Sequence, residues 1–209
     1  MRLLVLGAAG RTGQEVVSQA LARGHEVVAF VRRSDVALAP QERLTIVVGD
    51  AEDEAAVAQA AAGCDAVVSA LGHTSVRRSS AQTTAVAALV KALPAGTRVI
   101  SLTGFGVPDP KDPSLPWTGR LMNLAIRWVP GGLYHDGAEH ARVLRESQLD
   151  WTLIRAPRLS TAPARGAYQL GYFRLGADVS IPRADVARGM LDCLVDSTWS
   201  RQAPMIRPA

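Results

Sequence analysis

Seven residues near the start of the chain, Gly7-Ala-Ala-Gly10-Arg-Thr-Gly13, constrain its fold more than any other feature. An apolar run from Leu3 to Leu6 breaks at Gly7, and a helical pattern opens at Arg11. Strand, glycine turn and helix in that order make a cradle for a phosphate group. Gly7 permits the tight turn, Gly10 lets backbone come close to a pyrophosphate, and Gly13 lets the helix lie close on the strand. The N–H groups of the first helical turn then point at the anion. Gly7, Ala9, Gly10, Arg11, Thr12 and Gly13 are the residues expected to hold it.

The alternation continues down the chain. Strands are expected over 2–6, 26–31, 44–48, 66–69 and 98–102, and helices over 11–23, 52–62 and 79–93. Gly24 stands where a left-handed cap would end the first helix, and Pro94-Ala-Gly96 ends the third. The first strands are continuous apolar runs, which suits strands covered on both faces. From Gly104 the character changes. Residues 104–116 hold Gly and Pro as a surface loop, at the sheet edge where ligands of open α/β sheets bind. A helix carrying Leu121, Met122, Leu124, Ala125, Ile126 and Trp128 follows, stopped by Pro130-Gly-Gly. Its apolar face fits core packing or a pocket wall better than a membrane surface, because its basic content is slight. A helix over 136–147, a strand over 151–155, a stretch of low periodicity to 181 and a helix over 183–195 complete the chain. This reads as an α/β fold, a Rossmann-type doubly wound parallel sheet in a single domain of 209 residues. Residues 1–103 would form the dinucleotide-binding core and 104–209 the acceptor side.

Composition removes several alternatives. No apolar stretch is long enough for a bilayer, and Met1 leads straight into the first strand, so a cytoplasmic protein is expected. Cys64 and Cys193 lie in apolar contexts at no metal-ligand spacing and read as two buried thiols; no metal site is expected. The net charge of +4 does not point to nucleic acid. The arginines are scattered, paired only at Arg32-Arg33 and Arg77-Arg78, with no aromatic interleaving to stack bases. Monomer and homodimer both stay open.

The residues after the second strand bear on cofactor choice. A fold that selects NAD usually places Asp or Glu there, on the ribose 2′-hydroxyl. Here the stretch reads Phe30-Val31-Arg32-Arg33-Ser34. Two guanidiniums and a hydroxyl attract the 2′-phosphate of NADP, and an arginine fork matches phosphate geometry. NADP(H) is therefore the expected cofactor. Arg11 fits a second positive wall of that pocket and equally an exposed first-turn residue. Asp50, after the third strand, suits either an acceptor for the adenine amino group, with Ala51 offering its N–H, or the N-cap of the next helix. Ala70-Leu71-Gly72 brings small residues beside the cofactor's middle.

Together, Gly7-x-x-Gly10-x-x-Gly13, Gly49-Asp50 and Ala70-Leu71-Gly72 resemble the atypical short-chain dehydrogenase/reductases of the NAD(P)H-binding type. Val143-Leu-Arg-Glu-Ser147, Ala156-Pro157-Arg158, Gly166-Ala167-Tyr168 and Arg183-Ala-Asp185-Val186-Ala187 are similar to segments of the biliverdin reductase B (flavin reductase) group. The resemblance implies an NADPH-dependent reductase of flavins and related conjugated acceptors. It also implies that Thr103 stands near the nicotinamide, where the group commonly has Ser, and that Pro157 is the cofactor-side proline. Arg158 replaces the His of the biliverdin reductase, which argues against tetrapyrrole chemistry.

Carbonyl-reducing short-chain dehydrogenases protonate a developing alkoxide with a Tyr that has a Lys four residues later. Lys91 and Lys111 are the only lysines, and neither follows a Tyr at that spacing: Tyr134 is followed by Ala138, and Tyr168 by Tyr172. An isoalloxazine or quinone delocalises the charge left by hydride arrival and takes its proton from water, so positioning suffices. Thr103 suits a hydrogen bond to the nicotinamide amide or the acceptor, and equally a strand-end cap. Arg158 suits an anionic acceptor or the cofactor phosphates, and equally a surface pair. His135 and His140 read as solvated or capping residues, and Ser101 and Asp150 as members of no triad. The expected function is hydride transfer from NADPH to a flavin, quinone or similar small conjugated acceptor. The alternative is a non-catalytic NADP(H)-sensing regulator of the same fold. A sugar-nucleotide epimerase ranks last, for want of the Tyr/Lys pair and a larger C-terminal domain.

Overall fold

The sheet is built outward from the strand that precedes the glycine turn. In the computed structural model, which describes residues 1–72, 80–114, 132–176 and 179–209 (main chain only for 132–135), β1 (Arg2–Leu6) is flanked by two parallel neighbours. These are β2 (Glu26–Val31) and β4 (Ala66–Ser69), with β3 (Leu44–Val48) outside β2 and β5 (Arg98–Gly104) beside β4. β6 (Asp150–Ala156) extends the parallel array. β10 (Met205–Pro208) lies parallel to β6, and β8 (Tyr168–Gly171) closes that edge antiparallel to β10. The order is β3-β2-β1-β4-β5-β6-β10-β8. A separate parallel pair joins β7 (Arg158–Ser160) to β9 (Ser180–Pro182). The strand order reverses between β1 and β4, which makes this the doubly wound α/β fold expected.

Side chains of β1 alternate between two cores. Leu3 and Val5 pack on α1 (Arg11–Ala22) and α5 (Arg183–Asp192); Leu4 and Leu6 pack on α2 (Glu54–Ala61) and α3 (Ala81–Ala92). Both faces are covered, so the strand is apolar throughout. β3 departs from the expectation for the first strands: at the sheet edge, Ile46 is 36% and Val48 56% exposed. A third core gathers Leu144 of α4 (Gly132–Glu146) with Trp151, Leu153, Ala203 and Val107.

Several boundaries shift for local reasons. α2 starts at Glu54, because Asp53 is its N-cap and accepts from the N–H groups of Ala55 and Ala56 at 2.9 and 3.2 Å. Asp50 instead takes the N–H of Glu52 at 3.0 Å, within the turn before the helix. α1 ends with Gly24 left-handed at φ +84°, as its position implied. α5 stops at Asp192 rather than 195, and the stretch after 157 contains β7, β8 and β9. Cys193 is buried, and burial pushes its thiol up to about 12. Cys64 is only half-buried, contrary to expectation. The helix expected over 121–128, the Arg77-Arg78 pair and the side chains of Tyr134 and His135 lie outside the described residues.

Two arginines hold the C-terminal half. Arg155, on β6, is wholly buried and donates from Nε to the Ala203 carbonyl and from Nη1 to that of Val107, each at 2.8 Å. Its two Nη groups also grip both carboxylate oxygens of Asp112 at 2.8 and 2.5 Å. Arg98 ties Asp150 and Thr152 of β6 to the Cys193 carbonyl at the end of α5. The loop after β5 is thus fixed to β6 and to the chain entering β10.

At Gly13 a Cβ would stand 2.0 Å from the carbonyl oxygen of Gly7; at Gly10 it would stand 3.2 Å from the same atom. Gly13→Ala should therefore lower unfolding free energy by about 3 kcal/mol, the upper part of the range for forced overpacking, and Gly10→Ala by clearly less. Urea unfolding of the two variants checks the order. Asp112→Ala should cost about 3 kcal/mol, because it leaves the Arg155 guanidinium buried without its counter-charge. Asp112 keeps a quarter of its side chain in water, which holds the figure at the low end of the range. The same titration measures it.

Candidate functional site

The glycine turn sits on the end of β4. Gly7 is left-handed, at φ +73°, and a Cβ there would meet the carbonyl carbon and oxygen of Ala70 at 2.9 Å. Only glycine fits that approach. Gly10 is the N-cap of α1 and has no side chain to cap with, and the first turn of α1 carries no acidic residue. Both features suit an anion over the helix start. Ala9, Gly10 and Arg11 are exposed there, whereas Thr12 and Gly13 are buried under the turn. The Ala9 carbonyl accepts from Gln14 Nε2 at 3.0 Å, which stiffens the turn. Sequence reasoning missed Arg183, in the first turn of α5. Burial first, then the charge of nearby Arg11, holds its guanidinium below its ordinary value. The fold places a second cation beside Arg11, a neighbourhood with no local sequence signal.

At the far end of β2, Arg32 and Arg33 are exposed at the carboxyl edge of the sheet. Arg33 Nε pairs with Asp35 at 3.3 Å, both side chains being about three-quarters in water. Such a pair contributes little and yields readily to a phosphate. Asp50 and Ala51 lie on the neighbouring edge, past β3; Asp50 is exposed and engaged with Glu52, and Ala51 packs partly on the α2 core.

On the other side of the turn a cavity of about 360 Å³ opens at the carboxyl ends of β4, β5 and β6. Leu71 and Gly72 line it from β4, Leu102 to Gly104 from β5, Gly106 and Val107 from the following loop, and Ala156, Pro157 and Leu159 from the β6 end. Its size and apolar walls suit a flat ring. The cavity adjoins the turn directly, since Ala70 and Leu71 carry the backbone that Gly7 approaches. Thr103 and Pro157 both line this cavity. Arg158 does not line the cavity: its side chain is exposed, while Leu159, next along β7, faces in.

Beneath Thr103 lies a buried polar layer that the sequence did not announce. Ser101 Oγ and His140 Nε2 are 3.0 Å apart, and both side chains are buried, so His140 is neither solvated nor a cap. Asp136, one turn earlier on α4, accepts from the N–H and the hydroxyl of Thr83 at 3.1 and 2.6 Å. Gly137 lets α4 close on β5, since a Cβ would come within 3.1 Å of Thr103 Oγ1 and 2.9 Å of Val107. Gln82, on α3, was also missed; it lines the cavity and reaches the Leu71 and Leu102 carbonyls. The two lysines are elsewhere, Lys91 on Glu54 and Lys111 on Gln202.

Solved structures with this arrangement cover the whole chain. ChuY of Escherichia coli, an anaerobilin reductase, is 23% identical over 100% of this chain and 97% of its own, with a TM-score of 0.77. A Streptococcus pneumoniae protein assigned as an NADH-flavin reductase is 24% identical over 100% of both chains, TM-score 0.77. A short-chain dehydrogenase/reductase of Veillonella parvula, solved with NADP, is 22% identical over 99% and 94%, TM-score 0.77. At these identities the likeness speaks for the fold. A family model described as NAD(P)H-binding matches residues 7–197. With its glycine turn, switch-point cavity and full-length match, the chain belongs to the NAD(P)H-binding family.

Proposed function

We propose that this protein is an NADPH-dependent reductase that delivers hydride to a flavin, quinone or similar conjugated acceptor. One observation carries the reading: an apolar cavity, open beside Thr103, has Leu71 in its wall, and Gly7 of the glycine turn packs on the backbone of Ala70 and Leu71. The residues fit a phosphorylated dinucleotide along that path. Gly7 and Gly10 leave room for a diphosphate over the uncapped start of α1. Arg32 and Arg33 offer forked donors to a 2′-phosphate, and Asp50 remains exposed toward an adenine edge. The nicotinamide, when bound, supplies the hydride. Leu71, Leu102, Val107, Pro157 and Leu159 exclude water from a ring stack and hold two flat groups in contact. Thr103 Oγ1 is a hydrogen-bonding group within that wall. No acid is asked of the protein, in keeping with an acceptor that spreads its charge. The Streptococcus protein is named for NADH; here the choice turns on the two arginines past β2. Two neighbours are named as reductases, which supports reduction as the chemistry and turnover over sensing.

Purified protein should oxidise NADPH when given FMN or a simple quinone, followed by the nicotinamide absorbance. Binding of NADPH with no turnover across a broad acceptor panel would leave the sensor reading standing instead. Arg32→Ala combined with Arg33→Ala should weaken NADPH roughly ten- to hundredfold while changing NADH little. Titration of both dinucleotides checks this; equal losses would refute the assignment of the arginines.

A further inference from the structure

We propose that the Gln82 amide recognises an amide-type N–H on the ring bound in the cavity, and so sets which rings the site accepts. The inference rests on the cavity being the ring site proposed above. Gln82 is 6% exposed and lines the cavity from the first turn of α3. Its Nε2 donates to the Leu71 carbonyl at 2.5 Å and, at 3.4 Å, to that of Leu102. The pairing of β4 with β5 ends at Ser69 and Ser101, so these carbonyls belong to two strand ends that have parted. Gln82 bridges the split. Two carbonyl acceptors on one side also fix which end of the amide is nitrogen, because the flipped amide would set oxygen against oxygen.

That assignment commits Oε1. It is buried from water and receives no hydrogen bond among the described residues. A buried amide oxygen without a donor is uncommon in folded proteins and carries a standing cost that a ligand donor removes. Leu71, Leu102, Val107 and Leu159 line the same cavity without a side-chain donor, and the Thr103 hydroxyl, also in the lining, makes no hydrogen bond to Oε1. A primary carboxamide on the cofactor's ring meets this demand, and so does the imide N–H of a flavin acceptor. A simple quinone offers only carbonyl oxygens. The shared chemistry is an N–H beside a carbonyl on a flat ring.

The test deletes the donor and the acceptor in turn. Wild type and Gln82→Met are titrated with NADP and with its 3-acetylpyridine analogue, whose methyl ketone lacks the N–H. Both proteins are then assayed with FMN and with FMN methylated at the imide nitrogen. Wild type should prefer the N–H form of at least one pair about tenfold, and Gln82→Met should lose that preference. Collapse of the dinucleotide ratio assigns the donor to the cofactor; collapse of the flavin ratio alone assigns it to the acceptor. A general loss of packing would weaken both members of a pair and leave the ratio unmoved. Ratios unchanged in Gln82→Met, with NADP still bound, overturn the role of Gln82 and leave the proposed function intact. Should that variant not fold, equal affinities of wild type within both pairs overturn it as well. Failure of wild type to bind either dinucleotide removes the ring site itself, and this inference with it.

Discussion

The main chain of Gly7 rests against the carbonyl of Ala70, and Gly13 rests against the carbonyl of Gly7. Those two backbone contacts set the distance between β1, α1 and the end of β4. A methyl group at either position has nowhere to go, because the atoms it would meet are main chain and cannot rotate away. The close approach does two things at once. It lets α1 bury Val16, Val17 and Ala20 against Leu3 and Val5, which seats the first half of the sheet. It also brings the start of α1 and the end of β4 to one rim, so the uncapped helix start and the cavity wall become neighbours. The rim is therefore a consequence of packing and needs no separate device.

The second half of the chain is organised by different forces. Buried apolar runs dominate β1, β2 and β4; the region from β5 onward is tied by guanidiniums. Arg155 gathers the loop after β5, Asp112 and the chain entering β10 into one cluster. Arg145 adds the Pro108 carbonyl and Asp109. Burying an arginine is costly unless its donors are met, and Arg155 meets that condition through two carbonyls and a bidentate carboxylate. The arrangement is directional where apolar packing is not. It fixes Val107, and with it one wall of the cavity, on a loop whose glycines and prolines would not hold position alone.

This division explains what the sequence disclosed. β1, β2, β4 and β5 were readable because strands covered on both faces become uninterrupted apolar runs, and the glycine spacing named the turn between them. β7, β8, β9 and β10 span three or four residues each, below the length at which a period can be seen, and pair with partners remote in the chain. Asp50 and Asp53 are both good caps by type; only the geometry of the turn decides that Asp53 takes the role. His140 lies among Glu139, Arg142 and Arg145 and reads as surface, yet α4 turns it inward onto Ser101. Thr103 and Pro157 were placed by resemblance, and the fold brings both to the cavity. Gln82 carried no signal, because its importance lies in two strand ends that separate in space.

The site is polarised along its length, and the polarity has a mechanistic meaning. Positive charge collects on Arg32 and Arg33 past β2 and on Arg11 and Arg183 at the helix starts, outside the residues that line the cavity. The cavity walls are mostly apolar, and behind β5 a polar layer pairs Ser101 with His140 and Thr83 with Asp136. Under the proposed function, binding energy drawn from a remote phosphate would hold a ring in place without interacting with the reacting atoms, and the apolar end would stay dry. A charged group inside the cavity would bring water with it and loosen the stack. Fixing α4 to β5 through the buried Ser101–His140 hydrogen bond, with Gly137 allowing close contact, gives Thr103 a rigid backing. Under the proposed function, such a site would select acceptors by flatness and by hydrogen bonding at the ring edge, and would leave proton supply to the solvent.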